Sequence, residues 1–308
     1  MRYALFVGCT IPNRFPGVEN ATRLILGPDH LGAELVEIKE FTCCPALPTF
    51  YSTDRLTWLV TAARNLVLVQ DQNADLVTLC NGCFSSLLKA TEELENVNKC
   101  NLVNEALAAV GKQYRGRLAR VEGHRSFYEP VRVRHIIETL YTDFGKDAIA
   151  ARVRHPLSGL RAAVHYGCHL LRPTTRTTVD DPTNPVMLDT LVEATGAKSV
   201  DYADKQACCG AGGGIRLQVP KLANAITKDK YDSINAVGAD CIVTGCPYCL
   251  FQFDHAQREL KVQPIPVLHI SQLLALAFGI GADRLGFEWH FVSVKPLLKK
   301  LKATGAEV

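Results

Sequence analysis

At 308 residues the chain is long enough for two domains of ordinary size, each with its own core. With 47% hydrophobic and 21% charged residues it has the composition of a globular protein, not of a disordered or fibrous one. The net charge of +3 suits an anionic small molecule or an acidic partner and is too slight for nucleic acid, which calls for a concentrated basic stripe.

The first segment, Tyr3-Ala-Leu-Phe-Val-Gly-Cys9, reads as a short buried strand. It is too short for the apolar core of a signal peptide. Apolar residues at helical spacing follow from Glu19 to Leu31. Gly32-Ala33 then marks a turn, and a short alternating strand leads to Cys43-Cys44. A long helix is predicted from about Asp54 to Asn73. The apolar run from Ala74 to Leu79 enters Cys80-x-x-Cys83, where another helix begins. Residues 112–135, rich in Arg, Gly and Glu, read as a connecting excursion. His135 to Phe144 reads as a helix and His155-Pro-Leu-Ser-Gly159 as a linker.

The order then repeats. Ala162-Ala-Val-His-Tyr-Gly-Cys168 is a second strand ending in Gly-Cys. A helix is expected from Asp181-Pro182 to about Thr195, then a Gly196-Ala197 turn and a strand toward Cys208-Cys209. A helix from Leu217 to Val237 and a strand from Ala239 to Thr244 lead into Cys246-x-x-Cys249. The tail, Ser271 to Leu301, reads as helical in two pieces around Gly279 to Gly286. Its most apolar stretch, Ile270 to Ile280, is about half the length of a membrane span and carries Gln272.

This alternation predicts an α/β protein of two similar Rossmann-like domains with parallel sheets, residues 1–155 and 156–308, related by a pseudo-two-fold axis and followed by a helical C-terminal tail. Every repeated cysteine falls at or just after the C-terminal end of a strand, where open α/β sheets bind their ligands. Three loops of each sheet are thus predicted to converge, with the two sites near the interface.

The two cysteine sets are Cys9, Cys43, Cys44, Cys80 and Cys83, then Cys168, Cys208, Cys209, Cys246 and Cys249. The intervals are 33 and 39 residues before the doublets, and 35 and 36 from doublet to C-x-x-C. Thiolates ligate soft metals and iron–sulfur clusters. With no export signal recognised, metal binding in a reducing cytoplasm is favoured over a disulfide framework. Structural zinc is the competing reading, but four ligands would leave one thiol over in each set. The tight three-cysteine run of cubane ferredoxins is absent, so a partner would have to deliver electrons. Cys100 and Cys241 stand outside the pattern and read as packed thiols.

The doubled pattern, together with Cys208-Cys209-Gly210, His165-Tyr-Gly-Cys-His-Leu170 and Gly212-Gly-Gly-Ile215, resembles the cysteine-rich CCG family and its heterodisulfide-reducing branch from methanogenic archaea. The first doublet departs from the consensus, since Pro45 stands where glycine is usual. The resemblance implies that each five-cysteine set holds a noncubane [4Fe–4S] cluster. It implies one-electron reduction, at each cluster, of the coenzyme M–coenzyme B heterodisulfide bound between them. It also implies a ferredoxin-like partner subunit with cubane clusters and, behind it, a flavin-containing subunit. Related chains serve hydroxy-acid or fumarate redox complexes, which is the alternative activity.

An anionic disulfide needs cations or helix N-termini. Arg172 and Arg176, close after Cys168, are the first candidates, followed by Lys205 and Arg216, with Arg14 also near a motif. His169 is the candidate proton donor, and His165 reads as a core residue or a second candidate. Gly210-Ala-Gly-Gly-Gly214 lacks the spacing of a nucleotide fingerprint and reads instead as backbone that can approach a cluster closely.

Overall fold

The computed structural model describes residues 1–122 and 125–303. Two four-stranded parallel sheets carry the molecule. The first has the order β2-β1-β3-β6, with β1 Arg2–Phe6, β2 Glu34–Val36, β3 Asp75–Thr78 and β6 Val133–His135. The second has the order β8-β7-β9-β10, with β7 Arg161–His165, β8 Lys198–Ser199, β9 Cys241–Thr244 and β10 Val267–His269. Even the register repeats: Phe6 pairs with Thr78, and His165 with Thr244. The central strands are continuous apolar runs because helices cover both faces, and Ala4, Phe6, Ala162 and Val164 are fully buried.

Several predicted elements shift for local reasons. The helix expected over 19–31 is Pro16–Leu26: proline suits its first turn, and Gly27-Pro28 ends it before Leu31. The next long helix, Arg55–Gln70, starts where the Asp54 carboxylate accepts the amides of Leu56 and Thr57. The helix expected from Asp181 is only Met187–Glu193. Asp181 instead folds its own loop, accepting the amides of Thr183 and Asn184, while Asp180 accepts those of Val186 and Met187. Pro220 divides the helix expected over 217–237 into Ile215–Gln218 and Pro220–Ala236. The excursion at 112–135 contains an exposed hairpin, β4 Arg117–Glu122 with β5 Arg125–Glu129, and then β6, which completes the first sheet. The tail is preceded by β10 and folds as helices Ile270–Ala277 and Lys295–Ala303, with two short 3-10 turns between them. Ile270–Ala277 is wholly buried, and no helix among the described residues is long and apolar enough to cross a membrane.

The halves interlock reciprocally. The helical segment after β6, residues 136–150, packs on Met187–Glu193 of the second half, and helix Ile270–Ala277 after β10 packs on Pro16–Leu26 of the first. Thr22 donates to Ser271 across that seam at 2.8 Å. Gly17 lets the tail lie directly on the helix, since a Cβ there would sit 2.0 Å from the Leu285 carbonyl oxygen. His269 Nε2 lies 3.3 Å from the carbonyl of Leu79, and the ring of His135 lies against Gly245. Leu79 and Gly245 each precede a C-x-x-C, so equivalent residues exchange equivalent contacts, as a pseudo-two-fold axis requires.

Candidate functional site

Cys9, Cys80, Cys168 and Cys246 converge because strand ends converge, whereas the doublets, expected at strand ends too, arrive on longer loops, Cys43 seven residues after β2 and Cys208 nine residues after β8. Cys9 and Cys168 follow β1 and β7 through Gly8 and Gly167, whose φ angles are +67° and +78°. A Cβ at Gly8 would lie 3.0 Å from Cys83 Sγ, and one at Gly167 3.4 Å from Cys249 Sγ. Glycine at both turns thus brings the loop cysteine against the C-x-x-C, which opens helix Asn81–Leu94 in one half and Pro247–Leu260 in the other. Of the four C-x-x-C thiols only Cys246 is held below its ordinary value, by hydrogen bonds from Cys249 and Cys80, while Cys80, Cys83 and Cys249 are pushed up.

The doublets are held from behind by different chemistry. Asn65 accepts the Thr42 amide at 2.9 Å and donates to the Cys43 carbonyl at 3.0 Å. Ser86 Oγ lies 2.6 Å from the carbonyls of Cys44 and Pro45. In the second half the buried Lys230 ammonium donates to the carbonyls of Asp204, Lys205 and Ala207 at 2.7, 2.9 and 3.0 Å. Burial lowers its pKa to about 8. Thr227 bonds the Cys209 carbonyl at 2.8 Å.

Both sets open on one cavity of about 330 Å³ between the halves. All the repeated cysteines except Cys43 line it, and Cys80 Sγ of one set stands 3.9 Å from Cys246 Sγ of the other. Crowding redistributes the acidity of the thiols. Cys44 accepts hydrogen bonds from Cys43 and Cys83, which lowers its pKa to about 4, and both donors are pushed up. Cys208 is likewise held low by Cys168 and Cys209, and Cys209 rises to about 12. Each set therefore ionises as a cluster of coupled sulfurs. Cys100 and Cys241 lie apart; Cys241 is buried in β9.

The rest of the lining is neutral at its surface. It includes Gly212–Gly214, Leu217, Pro48, Thr49, Asn81, Tyr248 and His169, and among the described residues no Arg, Lys, Asp or Glu. His169 Nδ1 lies 3.2 Å from Ser85 Oγ, whose hydrogen goes to the Pro173 carbonyl. Nδ1 is then the donor in that pair, and Nε2 takes no part in it.

The four predicted cations are placed elsewhere, and each already has an oxygen partner. Arg172 donates to the Pro182 carbonyl at 3.1 Å, and Arg176 pairs with Glu95 at 2.8 Å on the surface. Lys205 pairs with Asp189 at 2.7 Å, and Arg216 with Glu259 at 2.7 Å. Arg14 lies over the Phe251 ring. None of them lines the cavity. The helix after Cys168 lasts only to Leu171, and the chain then runs outward, so nearness in sequence to Cys168 does not carry Arg172 or Arg176 to the wall. Conversely, Ser85, His135, Lys230 and His269 surround the site although no motif marks them, and Asn81 lies inside a C-x-x-C whose pattern leaves its identity open. Only the two histidines had a sequence signal, the repeat of Val133-Arg-His-Ile-Ile-Glu138 in Val267-Leu-His-Ile-Ser-Gln272. Each of these histidines caps the helix it opens, and burial pushes their pKa values to about 3 and about 4.

A thiol-only donor set, contributed by three loops in each half around a carboxylate-free cavity, fits soft iron–sulfur ligation. Comparison with known proteins agrees. The profile of the cysteine-rich domain family, CCG, matches residues 3–88 and 162–254. A subunit of the ferredoxin:CoB-CoM heterodisulfide reductase of Methanosarcina mazei is 41% identical over 97% of this chain and 97% of its own. The 8-methylmenaquinol:fumarate reductase membrane anchor subunit of Wolinella succinogenes is 30% identical over 96% of this chain and 98% of its own. A crystal structure of a hypothetical protein from Helicobacter pylori shares the fold at a TM-score of 0.71 and 16% identity; the match covers 95% of this chain and 52% of that one, so the chain spans about half its length.

Proposed function

The chain belongs to the cysteine-rich CCG domain family, and on that premise we propose that it is the disulfide-reducing subunit of a multi-subunit oxidoreductase. The substrate is the coenzyme B–coenzyme M heterodisulfide, and the balanced reaction is RSSR′ + 2e⁻ + 2H⁺ → RSH + R′SH. The observation that carries this reading is the opening of both thiol sets on one cavity, with Cys80 and Cys246 in contact across it. The relative from Methanosarcina mazei supports the choice of substrate.

Cys9, Cys43, Cys44, Cys80 and Cys83 hold one iron–sulfur centre, and Cys168, Cys208, Cys209, Cys246 and Cys249 the other, each a noncubane [4Fe–4S] cluster. Such centres supply single electrons and a soft metal surface for sulfur. The chain's own residues do the rest. The neutral lining admits a disulfide without a competing carboxylate. His169 is oriented by Ser85 so that Nε2 exchanges the proton a product thiolate requires. Electrons arrive from a ferredoxin-like subunit with cubane clusters, itself served by a flavin-containing subunit, in the reducing cytoplasm that keeps these thiols free.

Anaerobically purified protein is expected to be brown, to contain about eight irons per chain with matching sulfide, and to turn over the heterodisulfide with a reduced dye. Colourless protein with stoichiometric zinc would leave a structural module in place of the enzyme. The Wolinella succinogenes relative supports a second reading, an electron-transfer subunit of a fumarate or hydroxy-acid system. Full iron with no turnover of the heterodisulfide selects it.

A further inference from the structure

The two sheets share one register, and that register exposes a substitution between the halves. Gly8 answers Gly167, Val7 answers Tyr166, and Phe6 answers His165. Phe6 and His165 hold the same ladder position, and neither is exposed at all. Phe6 packs edge-on against Phe41, and His165 edge-on against Phe253, each pair with ring centroids 5.0 Å apart. A phenyl ring at that depth needs nothing more. An imidazole does, because a buried polar group without a partner is destabilising. Neither Nδ1 nor Nε2 of His165 has a hydrogen-bond partner among the described residues. A ring nitrogen of His165 and the Sγ atoms of Cys209 and Cys249 all lie within 4.8 Å of one another. The unsatisfied ring therefore faces the second thiol set.

We propose that His165 is a positioning residue of the second centre: it donates a ring N–H to a sulfur of the group held by Cys168, Cys208, Cys209, Cys246 and Cys249. This rests on the iron–sulfur reading above. Imidazole carries at least one N–H whichever nitrogen bears it, so the bond does not depend on protonation state. An N–H donated to a ligand sulfur draws electron density from it and stabilises the reduced, more negative state. Phe6 offers the first centre no such donor. The two centres, alike in thiol count and topology, thus differ in potential, and the second is the easier to reduce. An electron entering the protein settles on the second half first, and the first half completes the pair.

The experiment uses the holoprotein, purified anaerobically as wild type, His165→Phe and His165→Gln. Iron and zinc are measured first, and each centre is then followed by an EPR-monitored redox titration in H₂O and D₂O. His165→Phe copies the first half; His165→Gln keeps a buried N–H. We expect full iron in all three proteins. The second centre's midpoint should fall toward the first in His165→Phe and recover in part in His165→Gln. One exchangeable-proton coupling of the wild type should be missing from His165→Phe, while that of the Gly210 amide, 3.3 Å from Cys208 Sγ, remains. Unchanged midpoints and couplings in iron-replete His165→Phe would overturn the inference while leaving the cluster reading intact. Loss of the second centre's iron in both variants alike would overturn it in favour of a packing role. Wild-type protein without iron would remove the cluster reading itself, a failure seen before any variant is compared.

Discussion

The two halves are built alike and enclosed differently. In the first, Cys9 and Cys43 are exposed, and the doublet is held by side-chain amide and hydroxyl groups of Asn65 and Ser86. In the second, no repeated cysteine is exposed, and the loop before the doublet is wrapped around a buried ammonium, Lys230. Duplicated topology thus fixes where the thiols go, while access and local electrostatics are set separately in each copy. The first set can be reached from solvent, and the second chiefly through the shared cavity.

The same contrast explains why one doublet is followed by glycine and the other by proline. Gly210 has φ +95°, and a Cβ there would lie 2.5 Å from the Ala223 carbonyl oxygen of helix Pro220–Ala236. In the first half Ser86 bonds the carbonyls of Cys44 and Pro45, so the helix meets the loop through a side chain and no close backbone approach is needed. Gly210→Ala is therefore the substitution expected to break the symmetry most. It should destabilise the protein by roughly 3 kcal/mol or more, through strain plus a backbone clash. Pro45→Ala should stay within about 1 kcal/mol. Chemical denaturation of both variants checks the pair, and equal losses would refute the account of the two loops.

Lys230 and Asn65 sharpen the comparison at the next level. Lys230→Met leaves three buried carbonyls without their donor and should cost roughly 2–4 kcal/mol, with iron lost first from the second set. Asn65→Leu should cost roughly 1–3 kcal/mol and affect the first set. Stability measurements beside iron analysis and the EPR signal of each centre would show whether the damage stays in its own half.

Much of this arrangement was legible in the sequence because thiols are rare and their spacing repeats. The central strands β1, β3, β7 and β9, which lead to Cys9, Cys80, Cys168 and Cys246, are largely apolar runs, whereas β2 and β8 before the doublets are short and partly exposed. The outer strands β6 and β10 were not legible, since each has only three residues and gains its identity from pairing with β3 and β9. The helix expected at Asp181 failed because the Asp180 and Asp181 side chains compete for the backbone that a helix would use. The interlocking of the two halves left no trace except the repeated histidine caps. Its cost at acid pH does have a sign. His290, in the tail, is pushed by burial to about 4, below the ordinary value of 6.5. Between those values the unfolded chain binds the proton and the folded chain does not, so stability falls as pH drops through that window. From pH 7 to about 5.5 the loss from this one group should be about 1 kcal/mol, and His290→Gln should remove that share. Denaturation midpoints at the two pH values decide the matter, and identical slopes in both proteins would show that His290 does not carry the effect.

The smallest expected effects concern the cations, and they test the cavity itself. Arg172, Arg176, Lys205 and Arg216 are committed to a carbonyl or a carboxylate, and three of the four sit in ion pairs that anchor loops rather than face the thiols. For any of them to bind an anionic substrate it would have to leave that partner. An exposed pair such as Arg176–Glu95 is weak, about 1 kcal/mol or less, so exchange there is energetically open. It is not supported by position, because none of the four lines the cavity. Arg176→Ala and Arg172→Ala are therefore expected to change KM for the heterodisulfide by less than about twofold, and kcat not at all, whereas an anion ligand lost from the site would raise KM by about tenfold. Lys205→Ala and Arg216→Ala remove partners of Asp189 and Glu259 and should act on stability before they act on KM. Steady-state kinetics on iron-replete variants separates these outcomes. A tenfold rise in KM with unchanged iron at Arg172 or Arg176 would mean that the loop after Leu171 folds back over the cavity when substrate binds. The anionic ends of the substrate would then be gripped by a closing segment, and the neutral wall seen in this structure would describe only the open state.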